Sequence, residues 1–244
     1  MKQRHSTAIV TGGGKRIGAI VVEALIADGW TVIAHIHHAG DEVPAGAVPV
    51  ATDLSEPHCA AQIFAAAEGQ PPVRLLVNSA ARFADDQLGG LDPEEFTTHM
   101  EVNARAPALL MEELARRHQG GDALVINVTD AKLAAPNPDF LSYTLSKYAL
   151  AGLTEIGARA LAPQGIRVNA VAPALMLPSG VQDEANFARV HAHNPLGHGI
   201  EADELVAAVR FLVDSPGVTG QTLQLDSGQR FMCLPRDVQF LESK

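Results

Sequence analysis

The sequence predicts an α/β fold: a doubly wound parallel sheet of about seven strands with helices on both faces, forming a single domain over residues 1–244. Three observations predict it. Short β-rich runs alternate with longer helical patterns along the chain, a rhythm that favours right-handed crossovers and a parallel sheet covered on both sides. The first run ends in a glycine-rich stretch, TGGGKRIG at residues 11–18. No linker, internal repeat or low-complexity tract divides the 244 residues, and a composition 47% hydrophobic and 19% charged fits one large core.

Ala8 to Thr11 reads as the first strand, entering the glycine loop. Ile17, Ile20, Val21 and Leu25 then recur at helical spacing up to Asp28-Gly29, where glycine stops the helix. Thr31 to His35, Val48 to Thr52 and Arg74 to Asn78 read as the next three strands. Between the second and third, AGDEVPAGA is too short and too rich in Gly and Pro for a helix, so that crossover is abbreviated. Ala60 to Ala67 is helical, and Asp92 to His118 is one long helical region opened by the start signal DPEE. Ala123 to Val128 is the fifth strand, Tyr143 to Leu161 a helix and Arg167 to Ala172 the sixth strand. PALMLPSGVQDEANFARVHAHNP follows and reads as a mobile segment, then helix Ala202 to Val213 and a last strand Thr222 to Leu225.

A net charge of −10 argues against non-specific nucleic-acid binding. Cys59 and Cys233 are too few and too far apart for a disulfide framework or a zinc cluster, and point to a reducing cytoplasm. The opening MKQRHSTAIV has too short an apolar stretch for a signal peptide, and no apolar run approaches the roughly 20 residues of a membrane span.

A glycine loop between strand and helix turns backbone N–H groups and a helix N-terminus toward a pyrophosphate. Gly12 and Gly18 mark the two ends of that spacing, and Arg16 stands where a further glycine is expected. A tight structural turn uses the same letters. An NAD site places an acid near the end of the second strand to hold the ribose; here that stretch is HIHHAG, and the first acid is Asp41. Lys15, His37 and His38 instead offer donors to a 2′-phosphate, so NADPH is the expected cofactor. His35, His37 and His38 also fit ordinary strand-end polarity. No metal site is expected, because no carboxylate motif accompanies these histidines and HAH at 191–193 lies far away.

YTLSK at 143–147 puts Tyr143 and Lys147 on one face of a helix. A lysine cation beside a phenol lowers its pKa and makes it a usable proton donor near neutral pH. Taken alone, the pair also fits a packed ring and a solvated amine.

With these residues in place, the chain resembles the short-chain dehydrogenase/reductase family along nearly its whole length. The matching pieces, in order, are TGGGKRIG, Asp53-Leu54, VNSAA at 77–81, Asn103, YTLSK, IRVNAVAP at 166–173 and VTGQTLQLDSG at 218–228. The resemblance implies a Rossmann-like seven-stranded sheet that binds NAD(P)H and assembles as a homotetramer. It implies Tyr143 as proton donor, Lys147 holding the nicotinamide ribose and tuning Tyr143, and Asn103 supporting a water-linked relay. Gly12, Lys15, Arg16, Ile17 and Gly18 would line the phosphates, Asp53 and Leu54 the adenine side, Asn78 and Ala80 the cofactor's border, and Pro173 the nicotinamide.

Three departures narrow the resemblance. Asp130 stands thirteen residues before Tyr143, where most of the family has a carbonyl-polarising serine; Arg16 replaces the loop glycine; and Phe83 follows VNSAA. Together they resemble the pteridine reductase branch, as does the histidine-rich HIHH. That likeness implies a slot for a flat heterocycle, with Arg16 bridging phosphates and pterin, Phe83 stacking on the ring, and Asp130 and Tyr143 contacting it. Ala81 lacks the hydroxyl often present there in that branch. Separately, Phe83 also fits loop packing, Asp130 a loop cap and Arg16 a pyrophosphate contact. The expected activity is NADPH-dependent reduction of a C=N bond in a dihydropterin, with residues 174–195 as a substrate lid. The alternatives are a family member acting on carbonyl compounds and a non-catalytic NADPH-binding regulator.

Overall fold

The structure, a computed structural model, describes residues 6–178 and 184–240. Seven parallel strands form one sheet in the order β3-β2-β1-β4-β5-β6-β7. They are β1 (Thr7–Thr11), β2 (Thr31–Ile36), β3 (Val48–Ala51), β4 (Val73–Asn78), β5 (Ala123–Val128), β6 (Ile166–Pro173) and β7 (Thr222–Leu225). As the Gly- and Pro-rich composition requires, no helix joins β2 to β3.

Side chains alternate across the sheet and divide the core in two. Ala8, Val10, Leu75 and Val77 face one side, under α1 (Arg16–Ala27) and, later in the chain, α7 (Ala202–Asp214). Ile9 and Leu76 face the other, under α2 (Cys59–Ala65), α4 (Ala106–Arg117) and α5 (Leu141–Leu161). Strands buried on both faces explain the near-continuous apolar runs of β4, β5 and β6. No helix among the described residues is long and apolar enough to cross a membrane.

The long helical region at Asp92–His118 is not one helix. Asp92 caps α3 (Pro93–Met100) by accepting the N–H of Glu94 at 2.9 Å, a π turn follows over Glu101–Arg105, and α4 completes it. The cause is Pro107. It has no N–H for the carbonyl four residues back, that of Asn103, so the α-helical ladder cannot run through this point. The segment read as mobile contains a short helix, α6 (Glu184–Ala192); residues 179–183 of the expected lid lie outside the described residues.

Strand order reverses between β1 and β4, which opens a crevice at the C-terminal ends of the strands. The opposite end is stapled by Arg167, only 6% exposed. It donates to Asp122 Oδ1 at 2.9 Å, to the Leu212 carbonyl at 2.8 Å and to the Val218 carbonyl at 3.3 Å, tying β6 to α7 and to the turn before β7. Arg167→Met leaves these acceptors unpaired and is expected to lower the unfolding free energy by about 2–4 kcal/mol. Urea denaturation measures this, and an unchanged midpoint refutes the staple.

Candidate active site

The crevice is a cleft of about 880 Å³, within the ordinary range for a ligand site. The glycine loop forms one end. Gly12 has φ +66° and packs on Ala80, and a Cβ on Gly18 would sit 2.0 Å from the Gly12 carbonyl oxygen. Only glycine allows α1 to start so close to β1. Arg16 is the exception, an L-residue in the left-handed region at φ 53°. Its Nη1 donates to the Pro178 carbonyl at 2.7 Å, linking the loop to the segment after β6.

Behind the loop, buried His35 accepts the Gly12 N–H on Nδ1 at 3.2 Å and donates from Nε2 to the Thr52 carbonyl at 2.9 Å. Burial lowers its pKa, so it stays neutral with the proton on Nε2. The expected 2′-phosphate donors separate. Lys15 and His37 line the cleft, with His37 Nε2 3.8 Å from Asp53 Oδ2. The His38 ring lies outside the lining and stacks on His37 at 4.1 Å. Asp41 and Glu42 line the same end. Asp53 is held below the usual carboxylate range by the Ser55 N–H and hydroxyl, each 2.8 Å from Oδ1. Ile17, Leu54, Ala80 and Pro173 line the cleft, whereas Asn78 sits behind it, donating to Asn127 Oδ1 at 2.8 Å and clamping β4 to β5.

At the floor, α5 delivers Tyr143 and Lys147 on one face, and Asp130 follows the end of β5. The Tyr143 hydroxyl donates to Asp130 Oδ2 at 2.7 Å, and Asp130 Oδ1 accepts the Lys132 N–H at 2.8 Å. Lys147 Nζ donates to the Val128 carbonyl at 2.7 Å and lies 5.6 Å from the Tyr143 ring centre. These distances reverse the expectation that Lys147 lowers the Tyr143 pKa. Burial, then the Asp130 charge and hydrogen bond, raises it well above 10. Burial lowers Lys147 itself to about 8. Tyr143 therefore keeps its proton, and the polar group beside it is an acceptor.

A family model described as enoyl-(acyl carrier protein) reductase matches residues 14–230. The chain belongs to the short-chain dehydrogenase/reductase family. It is an oxidoreductase of that family. A solved structure, the FolM alternative dihydrofolate reductase 1 of Brucella canis complexed with NADP, is 36% identical with a TM-score of 0.89, covering 94% of this chain and 96% of that one. Pteridine reductase 1 of Leishmania tarentolae is 29% identical over 91% of this chain and 95% of its own length. Carbonyl reductase [NADPH] 2 of Sus scrofa is 30% identical over 91% and 95%.

Within this family site, Asn103 joins His38 and Asn78 outside the cleft lining, whereas Phe83 lines it. Asn103, fully buried, spends its amide on the protein. It donates to the Arg82 carbonyl at 2.9 Å and to Ser146 Oγ at 2.8 Å, and accepts the Arg82 N–H at 2.7 Å. It does not line the cleft; it holds the strip that carries Phe83. Phe83 lines the cleft and is 39% exposed, yet one face already stacks on Phe140 at 4.4 Å, and its ring meets Tyr143 edge-on at 4.7 Å.

Several residues here were missed in the sequence. His99 accepts the Ala84 N–H at 3.2 Å, Glu95 pairs with Arg82, and Asp86 accepts the Ser142 N–H at 2.9 Å. All three fix the Phe83 loop against α3 or α5, and no local pattern marks them. Phe140 and the residues near Asp237 form further lining or support that only the fold brings close.

The Lys147 environment carries a signed prediction. Lys147 loses its proton near pH 8 when folded and near 10.5 when unfolded. Between these values the unfolded chain binds more protons, so stability relative to Lys147→Met is expected to rise with pH, by up to about 1.4 kcal/mol per pH unit. Urea midpoints of both proteins from about pH 7.5 to about pH 10 measure it, and parallel curves would refute the buried-cation assignment.

Proposed function

We propose that the protein is an NADPH-dependent reductase that delivers hydride to a C=N bond of a pterin, most simply dihydropterin to tetrahydropterin. The observation that carries this reading is the Tyr143–Asp130 hydrogen bond of 2.7 Å. A carbonyl substrate wants a second donor beside the tyrosine; Asp130 is an acceptor and matches a heterocycle with N–H groups to offer. The similarity to a dihydrofolate reductase of Brucella canis and to a pteridine reductase of Leishmania tarentolae supports it.

The cleft fits the cofactor on its own geometry: close-packed glycines at a helix N-terminus, and Lys15, Arg16 and His37 as the cationic or donor lining near the second strand. Gly12, Lys15, Arg16, Ile17 and Gly18 would hold the phosphates, Asp53 and Leu54 the adenine end, and Lys147, Ala80 and Pro173 the nicotinamide end. When bound, NADPH supplies the hydride. Tyr143 supplies the proton to the imine nitrogen once Asp130 no longer holds its hydroxyl. A ring N–H placed on Asp130 displaces the phenol and frees its proton for transfer. Solvent then reprotonates the phenolate. Arg16 and Phe83 flank the flat ring.

Carbonyl reduction is the second reading, supported by the pig relative. It needs a free hydroxyl beside Tyr143, but Ser142 Oγ is committed to Asp86 and Ser146 Oγ to the Tyr143 carbonyl. The two readings separate in NADPH oxidation by purified protein with 7,8-dihydropterins against a panel of ketones, aldehydes and quinones. Turnover of pterins that Asp130→Ser abolishes is expected; carbonyl turnover without pterin turnover overturns the reading. Tyr143→Phe is expected to lower kcat by about a hundredfold or more while NADPH still binds, and full retained activity removes Tyr143 as the donor. Tight NADPH binding with no turnover of either class would make the protein a nucleotide-binding regulator instead.

The protein is also proposed to assemble as a homotetramer. Leu145, Tyr148 and Ile156 recur at helical spacing on α5 and are 42%, 42% and 69% exposed, an outward apolar stripe. Light scattering that returns a monomer mass would refute assembly.

A further inference from the structure

One wall of the cleft comes from the end of the described chain: Leu234, Asp237, Val238 and Gln239 all line it. This strap is fastened by residues almost a hundred positions earlier. Arg236 Nε lies 2.9 Å from both carboxylate oxygens of Asp139, and Asp139 Oδ2 accepts the Asp237 N–H at 2.7 Å. Phe240 stacks on Phe140 at 5.7 Å.

The strap presents Asp237 to the slot with its side chain only 14% exposed and Lys132 Nζ 3.5 Å from Oδ2. Burial pushes its carboxyl above the ordinary range, and the Asp130 charge adds to that, against the Gln239 N–H and Lys132. The Asp237 charge also contributes to raising Tyr143. Lys132, whose backbone N–H lies 2.8 Å from Asp130 Oδ1, ties Asp237 to the Tyr143–Asp130 end of the slot, with Arg16 at the glycine-loop end. In a dihydropterin the reducible C=N bond lies in the pyrazine ring, which also carries the substituent at position 6; the amino and oxo groups lie on the other ring. With the reacting ring at Tyr143, the position-6 substituent is the part that meets the strap.

We propose that Asp237 is a specificity-determining residue that accepts a hydrogen bond from a hydroxyl on the position-6 side chain of the pterin. This rests on the pterin reading above. A substrate lacking the hydroxyl leaves Asp237 with only the Gln239 N–H, 3.1 Å from Oδ1, and Lys132, 3.5 Å from Oδ2, and forgoes a hydrogen bond to a charged acceptor, a loss that KM registers.

The test uses the full chain saturated with NADPH and two substrates that share the ring: 7,8-dihydrobiopterin, with hydroxyls on its side chain, and 6-methyl-7,8-dihydropterin, with none. The wild-type KM is expected to be about tenfold lower for the hydroxylated pterin, and this ratio to fall to about one in Asp237→Leu, with Asp237→Asn between. Equal KM values in the wild type, or a ratio that survives Asp237→Leu, overturns the proposal. The wild-type comparison remains decisive if the leucine variant does not fold. If the wild type binds NADPH but turns over neither pterin, the pterin reading itself falls, and the role of Asp237 with it.

Discussion

The hydrogen bond from Tyr143 to Asp130 is the contact on which the site depends, because it places a neutral donor and a carboxylate together in a buried cleft. Burial of an unpaired polar group costs more than its hydrogen bond returns, so each member of the set must be anchored. Asp130 is anchored by the Lys132 N–H at the start of a short 3-10 turn, Ala131–Ala134, and Lys147 by the last carbonyl of β5. The end of β5 and the first two turns of α5 thereby become one rigid unit. Displacing either displaces the chemistry.

Around that unit, the walls of the slot are held by contacts distant in sequence. Phe83 sits where it does because Asn103, His99, Glu95 and Asp86 pin its loop from α3, the π turn and α5. The π turn belongs to the same device: by breaking the helix at Asn103 it turns this side chain toward Arg82 and Ser146. At the other side, the Asp139–Arg236 pair secures the strap to the segment that precedes α5, so the stretch from Asp139 to Ser146 braces both walls. A flat slot between rigid walls suits a ring better than a flexible chain.

Much of this fold was legible in the sequence, for a local reason. Strands buried on both faces must be apolar throughout, which made β4, β5 and β6 readable; the crossover at residues 37–47 was readable from its Gly and Pro content. Tyr143 and Lys147 were found because helix periodicity puts them on one face, and Asp130 because the family resemblance marks the position thirteen residues before the tyrosine. His35, His99 and Asp237 were not. Their roles are set by partners 17, 15 and 98 residues away, and no periodicity encodes such pairings. The π turn had a local signal in Pro107, but a proline near a helix start ordinarily reads as permitted.

The error about Tyr143 has the most chemical content. A helical lysine four residues on looks like the dominant charge, and a cation beside a phenol lowers its pKa. In the folded protein the carboxylate touches the hydroxyl while the ammonium is turned to the β5 carbonyl, so burial and the nearer charge prevail. The substitution of an aspartate for the usual serine thus does more than delete a donor. It gives the tyrosine hydroxyl an acceptor, 2.7 Å away, where a serine would be a second donor. A ketone has no N–H to offer in exchange, whereas a ring nitrogen bearing hydrogen has one. On the proposed reading, the choice between an oxygen and a nitrogen substrate follows from which group the aspartate can accept.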